Sequence, residues 1–271
     1  SFSPAWVVDR PSRRPPQPMP QTRPRPSWSQ LCLPEPPRVL WKTARRAGKA
    51  DICVFLRGSN SLLDGALETA YHGFNFLMTH YRSEQGWRHS VQRDGRALDN
   101  QCDLYDQAFV VFSMAWLFRA SRDKEVLRIA EETLEILDTK FSDKVNGGYK
   151  EGLDANGQTL QGPRRQNPHM HLLEALIALH EATGNIEYLD RARKLIALTN
   201  DKFIVDGSLR EYFSTDLTPL STADGFLVEP GHHFEWVWLL YRYSELSGSV
   251  LEIEKMVEQL YRFAVEHGIN A

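Results

Sequence analysis

The sequence predicts an all-α protein of antiparallel helix pairs packed side by side, with short β-hairpins in the links between pairs. Three observations carry this. From Leu62 onward, apolar residues recur at spacings of three and four in seven segments. The links between them alternate between very short and long. The long links share a layout that returns about every 60 residues, the mark of a repeat. A helix pair cannot bury its apolar face alone, so repeated pairs must stack. An open solenoid and a closed (α/α) ring both fit.

The segments in order are residues 66–81, 104–120, 124–141, 170–182, 186–203, 233–246 and 251–267. Asp103, Asp123, Asn167 and Asn185 stand where a side-chain oxygen can cap free amides. Residues 121–123 and 183–185 are short turns, which imply antiparallel neighbours. The long links read Gly86-Trp87-Arg88-His89-Ser90, Gly148-Tyr149-Lys150-Glu151-Gly152 and Gly207-Ser208-Leu209-Arg210-Glu211. The first two also carry a glycine turn, at Asp94-Gly95 and Asn156-Gly157, suited to a tight hairpin. In a ring, the helix after each long link is the inner one, and all the long links meet at one end.

Residues 1–60 read differently, so the domain division is an irregular segment over 1–60 followed by a partial barrel over 61–271. Eleven of the fifteen prolines precede residue 40, interleaved with arginine as in Arg13-Arg14-Pro15-Pro16 and Arg23-Pro24-Arg25-Pro26. Proline lacks the helix donor and restricts its neighbour, so this stretch is expected to be irregular. A proline-recognition ligand, a basic arm and a frameshifted start are the other readings.

At 42% hydrophobic and 25% charged, the composition is that of a globular protein. A formal net charge of −3 gives no reason to expect nucleic acid or an anionic membrane as partner. No apolar run is long enough to span a membrane, and no secretory signal pattern opens the chain. Cys32, Cys53 and Cys102 are odd in number and scattered, which points to a reducing, cytoplasmic setting and free thiols. For Cys102 a small buried apolar role is expected rather than a nucleophile.

The unusual residues gather at the starts of the inner helices. They are Asp103-Leu104-Tyr105-Asp106-Gln107, Asn167-Pro168-His169-Met170-His171-Leu172-Leu173-Glu174 and Glu229-Pro230-Gly231-His232-His233-Phe234-Glu235-Trp236. His171 and Glu174 are three apart and share a helix face, as do His232 and Glu235. The two pairs stand 61 residues apart, with Gln107 in the corresponding place on the preceding inner helix. His169 with His171, and His232 with His233, look like metal ligands. On a helix such close neighbours diverge by roughly 100–200°, so no metal site is expected. His169 and His233 point away and are expected to be structural. Imidazole titrates near neutrality, so two rings facing one space can take and return a proton, each steadied by its carboxylate. Removal next to a carbonyl leaves an enediol; its return gives an epimer or the isomeric ketose.

At these residues the chain resembles the N-acylglucosamine 2-epimerase family, which includes bacterial mannose isomerases and mannose-6-phosphate-isomerase-like proteins. The resemblance covers roughly residues 65–267 and rests on the three inner-helix starts. It implies an (α/α)6 barrel and a sugar 2-epimerase or aldose–ketose isomerase. It also implies catalytic roles for His171 and His232 with Glu174 and Glu235, and substrate contacts from Tyr105, Asn167, Arg210 and Trp236. No cofactor and no metal are implied, and no glycine-rich phosphate loop argues for a nucleotide. The expected partner is a small sugar or sugar phosphate. Six helix pairs need more than roughly 300 residues, and this chain supplies about three and a half repeats. The family's arginine on its first inner helix and its C-terminal histidine have no counterpart here. A partial ring is therefore expected, with an apolar edge that favours self-association, as in a homodimer. Two other functions fit the pattern: a barrel glycoside hydrolase using Glu174 and Glu235, and a non-catalytic helical-repeat binding protein. Trp87, Tyr105, Trp236 and Trp238 are the aromatics suited to stacking on a sugar.

Overall fold

A computed structural model describes residues 60–249 and 251–269; the expectation for the Pro/Arg-rich N-terminal segment, with Cys32 and Cys53, lies outside them. Among the described residues seven helices follow one another: α1 (Asn60–Phe76), α2 (Leu104–Ser121), α3 (Lys124–Ile136), α4 (Asn167–Thr183), α5 (Glu187–Leu198), α6 (Pro230–Ser247) and α7 (Leu251–Ala264). Each of the seven periodic segments is a helix. α1, α3, α5 and α7 each continue into one π-type turn, Leu77–Tyr81, Leu137–Phe141, Thr199–Phe203 and Val265–Ile269.

The helix after each long link is the inner one. α4 buries residues on nearly every side, from Pro168 to Ala182. α3 buries Val126, Ile129, Ala130, Thr133 and Leu134 along one stripe and gives its charged residues to solvent. An apolar surface all round belongs to a helix enclosed by others, whereas a single stripe belongs to an outer helix. The two layers share one core that includes Met114, Leu134, Leu172, Leu195, Phe203, Phe213 and Trp236.

Asp103 and Asp123 cap α2 and α3, accepting from Tyr105 N at 2.7 Å and Glu125 N at 2.9 Å. Asn185 accepts from Glu187 N at 3.0 Å at the start of α5. Asn167 does not cap. It is the first residue of α4, followed by Pro168, and its amide faces α6. The inner helices end on residues in the left-handed region: Gly184 and Gly248 close α4 and α6, and Arg122 closes α2 with φ 59°. Arg122 is held there by a bond to the Ala182 carbonyl at 2.7 Å.

The long links carry ten two- or three-residue strands in antiparallel pairs. β1 (Arg82–Ser83) pairs β2 (Gly86–Trp87), β3 (Ser90–Val91) pairs β4 (Ala97–Asp99), and β8 (Ile204–Val205) pairs β9 (Ser208–Leu209). Two further pairs join one link to the next: β5 (Cys102–Asp103) with β6 (Gly152–Leu153), and β7 (Arg164–Arg165) with β10 (Tyr212–Phe213). Buried Arg164 adds a clamp, donating to Asp143 Oδ2 at 2.9 Å and to the carbonyls of Gly147, Tyr149 and Thr215. The links thus form one continuous rim over the starts of the inner helices. The third link makes the same tight turn without glycine: Leu217 takes φ 63° where Gly95 and Gly157 stand in the first two.

Candidate active site at the inner-helix rim

The register of the three repeats is set by one buried side chain at the start of each inner helix. His169 is fully buried; its Nδ1–H donates to the Arg165 carbonyl at 3.1 Å and its Nε2 accepts from Tyr149 N at 3.1 Å. His233 does the same between the Glu229 carbonyl, at 2.9 Å, and Leu209 N, at 3.0 Å. Gln107 repeats the bridge with an amide, donating to the Asp103 carbonyl and accepting from Trp87 N at 2.8 Å. Gly86 and Gly148 precede the bonded amides because a Cβ there would lie 2.6 Å from Gln107 Oε1 or 2.8 Å from His169 Nε2. Burial, with Arg164 nearby, pushes His169 down to about 3, and burial also lowers His233. Both rings are neutral, and with both nitrogens engaged neither has a lone pair for a metal. The structural role expected of His169 and His233 is what their bonds show.

These anchors correct the repeat read from the sequence. Gln107 corresponds to His169 and His233, not to the His-x-x-Glu pairs. Two residues on from each anchor stand Phe109, His171 and Glu235, so His171 and His232 occupy different positions of the repeat. The 61-residue spacing matched residues that the true spacings, 62 and then 64 between anchors, place apart.

His171 and Glu174 do meet: Nδ1 lies 3.1 Å from Glu174 Oε2, one helical turn away. The ring is buried against two aromatics of α2, Tyr105 at 5.1 Å edge-on and Phe109 at 4.6 Å. His232 does not take Glu235. Its Nδ1 lies 2.9 Å from Oε1 of Glu211, a buried residue of the third link, and its Nε2 lies 3.2 Å from Asn167 Nδ2. Buried Gln166 donates to both Glu211 oxygens, at 3.0 and 3.3 Å, and accepts from Trp236 Nε1 at 2.8 Å. Burial opposes a charge on His232. The hydrogen bond and charge of Glu211, with the charges of Glu229 and Glu235, overcome it and hold the imidazole above its ordinary value.

Glu235 stands in the field of both histidines. Burial first, and then the charge of Glu174, raise its carboxyl, while His171 and His232 pull it down. Burial likewise raises Tyr105, followed by the charges of Glu235 and Glu174. Glu235 is thus within electrostatic reach of Tyr105, His171, Glu174 and His232. Asn167 Oδ1 is buried without a partner, so this amide can donate a hydrogen bond to a neutral Nε2 or, turned over, accept one from an imidazolium.

Other expected site residues lie elsewhere. Trp236 is fully buried, with its indole spent on Gln166, and offers no face to a ligand. Trp87 is equally core, donating to Thr133 Oγ1; Trp238 is exposed. Arg210 lies 5.3 Å from the Phe226 ring centre. Cys102 is buried beside Ser83, and burial raises its thiol. Glu211 and Gln166 went unread in the sequence. The repeated Lys150-Glu151 and Arg210-Glu211 of the links were the available signal.

Paired helices in two layers, with imidazoles and carboxylates gathered where the inner helices start, define an (α/α) barrel with its reactive groups at one rim. The N-acylglucosamine 2-epimerase (GlcNAc 2-epimerase) family model matches residues 34–271, and the chain belongs to this family. A mannose-6-phosphate isomerase of Rhizobium meliloti (strain 1021) is 34% identical over 168 residues, covering 60% of this chain and 42% of that protein. A D-mannose isomerase of Marinomonas mediterranea is 29% identical over 185 residues, 63% of this chain and 46% of that protein. Among solved structures, the cellobiose 2-epimerase from Spirochaeta thermophila DSM 6192 superposes with a TM-score of 0.68 at 26% identity. It covers 75% of this chain and 54% of its own, and shows the (α/α)6 barrel plan. The chain spans about half the length of the curated relatives it matches. Among the described residues no helix is long and apolar enough to cross a membrane.

Proposed function

We propose that this chain carries the proton-transfer machinery of a sugar 2-epimerase or aldose–ketose isomerase, acting on C2 of an open-chain aldose. The observation that carries the reading is His232. Its Nδ1 is engaged by a buried carboxylate, which leaves Nε2 on the side of Asn167 as the basic nitrogen. A sugar displacing Asn167 from that nitrogen presents its C2 hydrogen to a base whose conjugate acid Glu211 stabilises. The C2–H electron pair becomes the C1–C2 double bond of an enediolate, with negative charge on O1. Tyr105 and His171 border the same space and supply proton donors for that oxygen and for the opposite face of C2. Proton return to C2 on the opposite face gives the epimer. Return to C1, with O2 losing its proton, gives the ketose. Atoms and electrons balance in both outcomes without a co-reactant.

The glycoside-hydrolase alternative requires two carboxylates working directly on the glycosidic bond. Glu174 is instead spent on His171, which favours imidazole chemistry. The substrate is proposed from the relatives' names as mannose or mannose 6-phosphate, with N-acetylmannosamine and the disaccharide cellobiose as the other members of the test panel. Incubation in heavy water with each sugar, followed by proton NMR, tests the reading. Loss of the C2 proton signal from one sugar, abolished by His232→Ala, is expected. Retention of that signal in all four sugars overturns it.

A further inference from the structure

We propose that Glu211 is the positioning residue of the site: anchored by Gln166, it holds His232 with its proton on Nδ1 and a bare Nε2 toward the sugar. The functional meaning rests on the proton transfer proposed above; the geometry stands without it.

One chain of bonds starts from a group with no choice. An indole N–H can only donate. Trp236 Nε1, fully buried, therefore obliges Gln166 to turn its oxygen toward it at 2.8 Å. That orientation turns the Gln166 NH2 to the Glu211 carboxylate, at 3.0 and 3.3 Å. A carboxylate can only accept, so the proton between Glu211 Oε1 and His232 Nδ1, 2.9 Å apart, must sit on the ring. The 3.2 Å approach of Gln166 Nε2 to the same ring nitrogen is then a contact without a shared proton. The backbone fixes Glu211 as well. Its N–H donates to the Leu227 carbonyl and its carbonyl accepts from Gln166 N, both at 3.2 Å.

The same position of the other links shows what is special here. In the first link it is His89, whose Nδ1 lies 2.6 Å from Asp106 of α2. In the second it is Glu151, paired with Arg165. Each repeat thus ties this link position to a side chain at or just before an inner-helix start. In the third, one partner is the imidazole that faces Asn167. The charged and titratable groups around that imidazole are Glu211 from the third link, Glu229 and Glu235 from α6 and its lead-in, and neutral His233 beside it. Of these, Glu211 alone bonds the ring.

The test is nitrogen-15 NMR of histidine-labelled protein, with the C2 exchange assay alongside. In the wild type the neutral His232 ring is expected as the Nδ1–H form, titrating above an ordinary imidazole. Glu211→Gln is expected to move that midpoint to lower pH and to cut kcat for exchange about 10²-fold with KM little changed. Trp236→Phe, which frees Gln166 to turn over, is expected to mix the two neutral forms. An Nε2–H ring in the wild type overturns the proposal without any variant having to fold. So does a Glu211→Gln protein whose His232 titrates as before. A purely structural fastening would lower stability without moving the titration. Because the ring is read without substrate, the expected tautomer in a protein that exchanges no sugar would sink the function while leaving the hold of Glu211 on His232 in place.

Discussion

The first and third repeats are built on the same backbone and put it to different uses. At the start of α2, Gln107 bridges link and helix, an aromatic at Phe109 faces inward, and the fastening pair is a histidine on the link with an acid on the helix. At the start of α6, His233 makes the bridge, Glu235 faces inward, and the pair is reversed: the acid is on the link and the histidine on the helix. The bridge needs one donor and one acceptor at a fixed reach, which an amide and a neutral imidazole both provide. The fastening needs an imidazole N–H facing a carboxylate, in either order. The scaffold therefore tolerates exchange of chemistry, and the reactive imidazole comes from the order found in the third repeat.

The comparison breaks most visibly at the fastenings. Glu211→Gln should cost about 10²-fold in C2 exchange, whereas His89→Ala, its counterpart in the first link, should leave exchange within about twofold. A similar loss from His89→Ala would remove the distinction between the repeats. Steady-state assays of the two variants decide it.

Next in size are the bridges. His169→Leu removes the acceptor of the Tyr149 N–H, and His233→Leu removes that of the buried Leu209 N–H. An unpaired amide costs about 1–3 kcal/mol, so either variant should lose roughly that much in denaturant unfolding.

His169→Gln copies the first repeat and should keep most of that stability at neutral pH while changing its dependence on acid. Burial holds folded His169 at about 3, against 6.5 for an ordinary imidazole. Between those values the unfolded chain binds a proton that the folded chain refuses. Its contribution is complete above 6.5 and is lost as pH falls toward 3. The glutamine variant should show a flatter acid limb in unfolding midpoints measured across that window. An unchanged limb would place the acid sensitivity elsewhere.

The smallest effect is expected at Leu217. Glycine there relieves a left-handed backbone, worth about 1–2 kcal/mol, but removes a buried side chain worth a similar amount. The net change should stay within about 1 kcal/mol.

Legibility followed sequence distance. His171 and Glu174 were readable as a pair because an α-helix places residues three apart on one face, whatever surrounds it. The same rule applied to His232 named Glu235 and missed Glu211, which reaches the ring from 21 residues back across a link. Asn167 looked like a cap because caps favour its type. Its position one residue further in became visible only where α4 meets α6. Trp236 looked like a sugar platform by composition and is a buried donor holding Gln166.

The amino-acid pattern by itself determined the helices, their pairing, the inner and outer layers and the rim where the links gather. Those follow from periodicity, turn length and the need to bury one face, all of which are local or averaged over many residues. Only the tertiary structure decided how the repeats register on one another, which backbone groups His169 and His233 bridge, and which acid serves His232. Those choices depend on single donors and acceptors brought within 3 Å or so by packing of distant segments, and a spacing rule along the chain does not contain them.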